Sequence, residues 1–208
     1  MQLIAENLEL VRGGRSIVRG LSFAIAAGET LTLVGANGAG KTTVLRALAG
    51  LLPLAHGRLS LEGGDSEREI AESCHYVGHA NAVKPGLTVA ENLAFWAAYL
   101  GGSRTGAEAE RAIGSALDRL ALAPLAELPA QVLSAGQKRR LALARLLAAP
   151  RPVWLLDEPT NSLDADSAAA LARLVDDHAA TGGLAVIATH LPLGLKSARE
   201  LRLGSGER

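Results

Sequence analysis

The chain has 208 residues, 49% of them hydrophobic, which suits one domain with an ample core. Lysine plus arginine equals aspartate plus glutamate at 21 each; this zero formal charge argues against DNA or RNA as the main partner, since nucleic-acid binders carry a basic excess. The single cysteine, Cys74, excludes an intrachain disulfide, and no apolar run reaches the ~20 residues of a spanning helix, so any membrane role needs a partner.

Leu3 to Val11 alternates loosely and reads as a strand, followed by the Gly13-Gly14 turn. Ser16 to Ala26 is a second strand, with Ile17, Leu21, Phe23 and Ile25 as core candidates. Gly28-Glu29 turns into a third, Thr30 to Val34. Next comes Gly35-Ala36-Asn37-Gly38-Ala39-Gly40-Lys41-Thr42-Thr43, which opens a helix running to Leu48. Strand, glycine-rich turn and helix form the setting in which G-x-x-x-x-G-K-T cradles phosphate. Glycines let successive N–H groups point inward, and the positive end of the helix dipole lies beneath them. Lys41 is placed to reach the β- and γ-phosphates and the Thr42 hydroxyl to ligate Mg²⁺.

Gly57 to Glu62 is a short strand closed by Gly63-Gly64, and the early strands are expected to form an antiparallel layer beside the nucleotide. Ser66 to Glu72 is charged and reads as a short helix, Cys74 to Gly78 as a strand. Helical patterns then dominate, Thr88 to Leu100 and Gly106 to Leu122, with a start signal over Thr105 to Glu110. Residues from Ala80 to about Val132 are therefore expected to form a helical insertion within a single domain spanning 1–208. Ser134 to Ala148 is helical, Val153 to Leu156 a buried strand, and Asp164 to Ala180 an amphipathic helix with Leu171, Leu174 and Val175 inward. Leu184 to Ala188 is a further strand, followed by a short helix and a strand at Leu201 to Leu203. The expected class is α/β: a phosphate-loop nucleoside triphosphatase with a mainly parallel core sheet, an antiparallel β layer and a helical subdomain insertion.

Three blocks lie downstream of the loop. Leu133-Ser134-Ala135-Gly136-Gln137 sits at a helix start, either a second anion site or an ordinary N-cap. Val153-Trp154-Leu155-Leu156-Asp157-Glu158 delivers two acids at a strand end: Asp157 to hold Mg²⁺ through water, Glu158 to polarise an attacking water. Thr189-His190 ends another strand, where a histidine can meet the γ-phosphate.

In content and order these blocks resemble the ATP-binding cassette family over nearly the whole chain. Residues Gly35 to Thr42 match its phosphate loop, Leu133 to Gln137 its L-S-G-G-Q signature with Ala135 in place of a glycine, and Val153 to Glu158 its acidic motif. Ser162 to Asp164 match the D-loop and His190 the switch histidine. The resemblance implies ATPase activity with ATP and Mg²⁺. It implies a head-to-tail homodimer in which Ser134, Ala135, Gly136, Gln137 and Asp164 of one copy complete the ATP site of the other.

Two positions depart from the family pattern. His79 stands where a glutamine usually meets Mg²⁺ and the attacking water, and either acts through water or gates the site by its charge. Arg12 stands where an aromatic usually stacks on adenine, and either stacks by its guanidinium or stays solvated. The run from Gly78-His79 to Phe95-Trp96, with Arg12-Gly13-Gly14-Arg15, is similar to the haem-exporter cassettes of cytochrome c maturation. That resemblance implies a peripheral ATPase on the cytoplasmic face of the inner membrane, bound to integral membrane subunits. Another small-molecule exporter, or a soluble ATP-switched cassette, remain the alternatives. Phe95, Trp96 and Tyr99 fall within five residues of one another, in the helix after His79, and form either a docking surface for a membrane partner or the core of the insertion. Cys74, His75 and His79 adjoin, without zinc-type or haem-attachment spacing.

Overall fold

The computed structural model describes residues 1–65, 67–100 and 106–204. Three strands, β1 (Gln2–Arg12), β2 (Arg15–Ala26) and β4 (His56–Glu62), form an antiparallel sheet in the order β2-β1-β4. The second sheet holds β5 (Cys74–Val77), β6 (Val153–Asp157), β7 (Leu184–Ala188), β3 (Thr30–Val34) and β8 (Arg199–Arg202), in that spatial order. All its pairings are parallel.

Every residue of β6 and β7 is buried. Strand periodicity sends alternate side chains to opposite faces, so the sheet separates two cores. Val153 and Leu155 join one core with β1, β2 and Val44, Leu45 and Leu48 of α1 (Lys41–Leu48). Trp154 and Leu156 join the other, with the helices α2 (Val89–Leu100), α3 (Gly106–Arg119), α4 (Ala135–Ala148) and α5 (Ala165–Ala180). Leu171, Leu174 and Val175 of α5 face this core, as the helical spacing requires. Ile25 and Phe23 are buried as expected, while Ile17 and Leu21 pack at the core's edge.

Four segments depart from the sequence reading. Only Ile70–Ser73 coils, as a 3₁₀ turn, where a helix over Ser66 to Glu72 was expected; Glu69 is extended, and the Asp65 side chain accepts from the Glu67 N–H, diverting the backbone into a turn. Ser66 itself lies outside the described residues, as does Thr105 of the expected start of α3. Helix α3 stops at Arg119 rather than Leu122 because Ala121 adopts φ 51°, and the Leu122 N–H reaches back to the Leu117 carbonyl. No helix forms over 189–198, where Pro192 and Gly194 at φ 66° interrupt the turn. The last strand is Arg199–Arg202 rather than Leu201 to Leu203.

Between β5 and α4 lie α2, α3 and two 3₁₀ turns, Ala123–Leu125 and Ala130–Val132. Hydrogen bonds from Val89 to Leu128 and from Ala90 to Ala126 close this segment on itself.

Candidate functional site

Parallel strands place the carboxyl ends of β3, β6 and β7 along one edge, and the chemistry gathers there. The glycine-rich loop leaves β3 and enters α1. Gly40 is the N-cap at φ 97°, with no side chain capping the helix. The first N–H groups of α1 therefore face outward without intrahelical carbonyls, a ready anion seat. A side chain at Gly40 would stand 2.8 Å from Val18 Cγ2, and one at Gly35, φ 149°, 2.7 Å from the Leu203 carbonyl oxygen. Both positions need glycine for conformation and for space. Lys41 is buried, and its Nζ donates to the Gly35 and Ala36 carbonyls at 2.7 and 3.2 Å, inside the loop. Thr43 is buried beneath it, while Asn37 and Gly38 stand exposed.

Thr42 Oγ1 donates to Asp157 Oδ1 at 3.1 Å, across 115 residues. These are hard oxygen donors of the kind Mg²⁺ takes with phosphate and water. Among the described residues no cluster of three His, Cys, Asp or Glu could hold a metal alone. Tyr76, which sequence reasoning missed, directs its hydroxyl at Asp157 Oδ2 from a long 3.4 Å. Burial, with Asp157 beside it, pushes the Tyr76 phenol up, so it stays protonated as a donor.

Glu158 follows Asp157 in the left-handed region, φ 45°, which turns its side chain out of the strand line. Its N–H donates to the Ala188 carbonyl at 2.8 Å, fixing the end of β6 against the end of β7. His190, two residues beyond β7, holds Nδ1 2.9 Å from Glu158 Oε2. A carboxylate only accepts, so Nδ1 carries the proton. The His190 side chain is 53% exposed and that of Glu158 19%, so both face the loop edge with access to water.

Beneath the acids lies Arg139, the second residue that sequence reasoning missed. It is 2% exposed. Its Nε donates to the Pro159 carbonyl at 3.0 Å, Nη2 to Asp157 and Glu158 at 3.0 and 2.8 Å, and Nη1 to Gly78 at 2.8 Å and Asn81 Oδ1 at 3.2 Å. One guanidinium thus ties the backbone of the acidic pair to the strand exit before His79. In the sequence Arg139 is one of three successive basic residues, Lys138 to Arg140, and nothing there marks it as the buried one.

Ser134 caps α4 as a capping box: its Oγ accepts from the Gln137 N–H at 3.2 Å, and its N–H donates to Gln137 Oε1 at 2.8 Å. Ser134 and Ala135 are exposed, and a side chain at Gly136 would stand 2.8 Å from the Ser162 carbonyl. The signature turn and the turn at Ser162, φ 69°, are therefore in contact. Asp164 caps α5 by accepting from the Ser167 N–H at 2.8 Å, and the Ser167 hydroxyl, followed by that N–H, holds its carboxyl below the usual range.

His79 is exposed beyond β5 and lines a groove of about 520 Å³ with Arg46, Tyr76, Trp96, Leu100 and Arg145. On the outer face of α2, whose inward residues include Val89, Leu93 and Ala97, the Phe95 and Tyr99 rings stack and Trp96 meets both edge-on. Tyr99 is 71% exposed, so the rings form a surface and not the insertion's core. Arg145 sits 4.7 Å over the Trp96 ring and donates to the Tyr76 carbonyl, and burial lowers its pKa to about 10. Arg12 stands exposed at the end of β1, paired with Arg15; against Gly40 the nearest side chains are Val18 and Ile17. His75 is buried and bonded to the Ala149 carbonyl, and burial lowers its pKa to about 3. Burial pushes Cys74 up to about 12, leaving an unreactive thiol.

A family model described as ABC transporter matches residues 18–161. An export protein of Rhodopseudomonas palustris strain BisB18, named cytochrome c biogenesis ATP-binding export protein CcmA, is 55% identical over 204 residues and 98% of both chains. Its namesake in strain BisB5 is 52% identical over 99% of both, and that of Bradyrhizobium diazoefficiens 50% over 98%. Among solved structures, an ATP-binding subunit of an ABC transporter superposes with TM-score 0.87 at 23% identity, over 99% of this chain and 87% of that one. A dimeric ATP-binding cassette in a post-hydrolysis state with ADP and Pi superposes with TM-score 0.84 at 24% identity, over 98% and 95%.

Proposed function

The chain belongs to the ABC transporter family, and from that premise we propose that it is the ATP-hydrolysing subunit of a membrane export complex in cytochrome c biogenesis. The observation that carries the ATPase reading is the shared edge: Lys41, Thr42, Asp157, Glu158 and His190 converge at the carboxyl ends of three adjacent parallel strands. The pathway rests on identities of 50–55% to export proteins of that name over 98% or more of both chains.

In this reading Gly35 to Thr43 seat the triphosphate, and Lys41 leaves its loop carbonyls for the β- and γ-phosphates. Thr42 and Asp157 would hold Mg²⁺, which neutralises phosphate charge when bound. Glu158 takes a proton from the attacking water. His190, whose Nδ1–H is held by Glu158, stands beside the γ-phosphate with its ring fixed by that bond. Arg12 lies on the side of the base.

Two copies pack head to tail. Ser134, Ala135, Gly136 and Gln137 of one, with its Asp164, cover the phosphates on the other. No helix among the described residues is long and apolar enough to cross a membrane, so attachment is peripheral. The exposed rings of Phe95, Trp96 and Tyr99, beside the cationic groove at His79, supply the surface for integral subunits on the cytoplasmic face of the inner membrane. Residues from about 80 to 132 act as the helical subdomain that carries this surface.

The test is Glu158→Gln. ATP binding persists, hydrolysis falls by orders of magnitude, and size-exclusion chromatography recovers an ATP-dependent dimer. Wild-type turnover in this variant would remove Glu158 from the base role.

A further inference from the structure

At the opposite edge of the parallel sheet lies a cleft of about 450 Å³ that the nucleotide chemistry does not use. Pro152 and Gly183 line it just before β6 and β7 begin, whereas Asp157 and His190 follow those strands. Trp154 lines the cleft at 3% exposure, and its indole N–H has no acceptor. Arg151 lines it too; its Nη1 donates to the Ala71 and Cys74 carbonyls, while its Nε is buried and unpartnered. Both residues thus keep a buried donor without a partner behind the cleft wall.

The charges agree. Arg119 and Arg151 line the cleft against one carboxylate, Asp177, which is already bonded to Arg119. The wall is rigid. The His178 ring stacks on Trp154 with centroids 3.9 Å apart and a 7° interplanar angle, and its Nε2 lies 3.1 Å from the Pro152 carbonyl. A side chain at Gly183 would stand 2.3 Å from that ring, so glycine is required there. Burial lowers the His178 pKa, which leaves the imidazole neutral near pH 7. Leu146, Leu147 and Leu174 supply the apolar floor.

We infer that this cleft binds a small carboxylate with an apolar body, its carboxylate paired with the Arg119 and Arg151 guanidinium groups and its body lying along Leu146, Leu147 and Leu174 beside Trp154. The volume falls within the usual range for small-ligand sites, and apolar walls with few fixed donors are their usual chemistry. The site spans the seam between α3 and α4 on one side and α5 on the other, so its occupant bridges elements that the exposed Arg119–Asp177 pair also links.

The test follows the two indole N–H resonances of the full chain by NMR, since Trp96 and Trp154 are its only tryptophans. Octanoate is titrated to about 20 mM, with octanamide as the neutral isostere. The expected result is a saturable shift of one resonance, the one missing from Trp154→Phe. Octanamide should bind at least ten-fold more weakly, and Arg151→Gln should raise the octanoate midpoint at least five-fold. If Arg151→Gln does not fold, as judged by lost ATP binding, the exposed Arg119→Gln carries the same expectation. Absence of saturation, equal response to the amide, a shift confined to Trp96, or a wild-type midpoint in a folded arginine variant overturns the inference.

Discussion

Replacing Arg139 by methionine keeps the bulk of the side chain and removes every donor. The backbone carbonyls of Gly78, Asp157, Glu158 and Pro159 then lose its hydrogen bonds, along with Asn81 Oδ1, and the Glu158 carbonyl keeps the Asn161 N–H at 3.2 Å. Each buried carbonyl left unpaired costs about 1–3 kcal/mol. Against this stands the relief of a guanidinium no longer held out of water, a penalty that also lowers the Arg139 pKa. The balance is a destabilisation of about 3–4 kcal/mol, with Arg139→Lys recovering less than half because an ammonium cannot fan across four carbonyls. Urea unfolding reads this as a lower midpoint at constant slope. ATP affinity should change less than about three-fold, because Arg139 touches no residue of the Gly35–Thr42 loop, whereas hydrolysis should fall more than ten-fold as Glu158 loses its anchor. A variant within about 0.5 kcal/mol of wild type, or one losing binding and turnover equally, refutes this account of the arginine.

Lys41→Ala removes the cation from the phosphate seat, and binding of a fluorescent ATP analogue should vanish in equilibrium titration; retained affinity would mean the loop binds something else. His79→Gln restores the amide usual in the family, and turnover should stay near wild type or rise, so complete loss in a steady-state assay would give the imidazole a chemical duty. His75 is held neutral in the fold, with its pKa lowered to about 3. Its contribution is thus fully present above the unfolded value of about 6.5 and is lost as pH falls toward 3, with a slope of up to about 1.4 kcal/mol per pH unit. His75→Gln keeps a donor for the Ala149 carbonyl, and its urea midpoint should fall less than that of wild type between pH 7 and pH 4; parallel curves would exclude His75 as a source of acid sensitivity.

How much was legible beforehand depended on whether the partners of a residue were its neighbours in the chain. The phosphate loop, the caps at Ser134 and Asp164, and the apolar strands ending in acids are local devices: a glycine's φ, a hydroxyl reaching three residues on, an alternation of period two. The strands and helices that carry them lie where order and spacing put them, although order and spacing leave Ser134 open between N-cap and anion site and do not mark Asp164 as a cap. Where competing local signals were weak, as over 66–72 and 189–198, a charged or proline-bearing stretch was mistaken for helix. The side of α2 that bears Phe95, Trp96 and Tyr99 was also undecided, because a mostly apolar helix has no unambiguous inner face until α3 and α4 claim one.

Composition and spacing by themselves determined the class of fold and singled out the glycine-rich loop and the two acids as candidates. Only the tertiary structure decided the strand order, the clasp of Thr42 on Asp157, the pairing of Glu158 with His190, and the role of Arg139 beneath them. The reason is physical. A backbone nest is built by consecutive residues, so its pattern is written in consecutive letters. A buried guanidinium is satisfied by carbonyls 18 to 61 residues away, and carbonyls carry no sequence identity for any pattern to reveal.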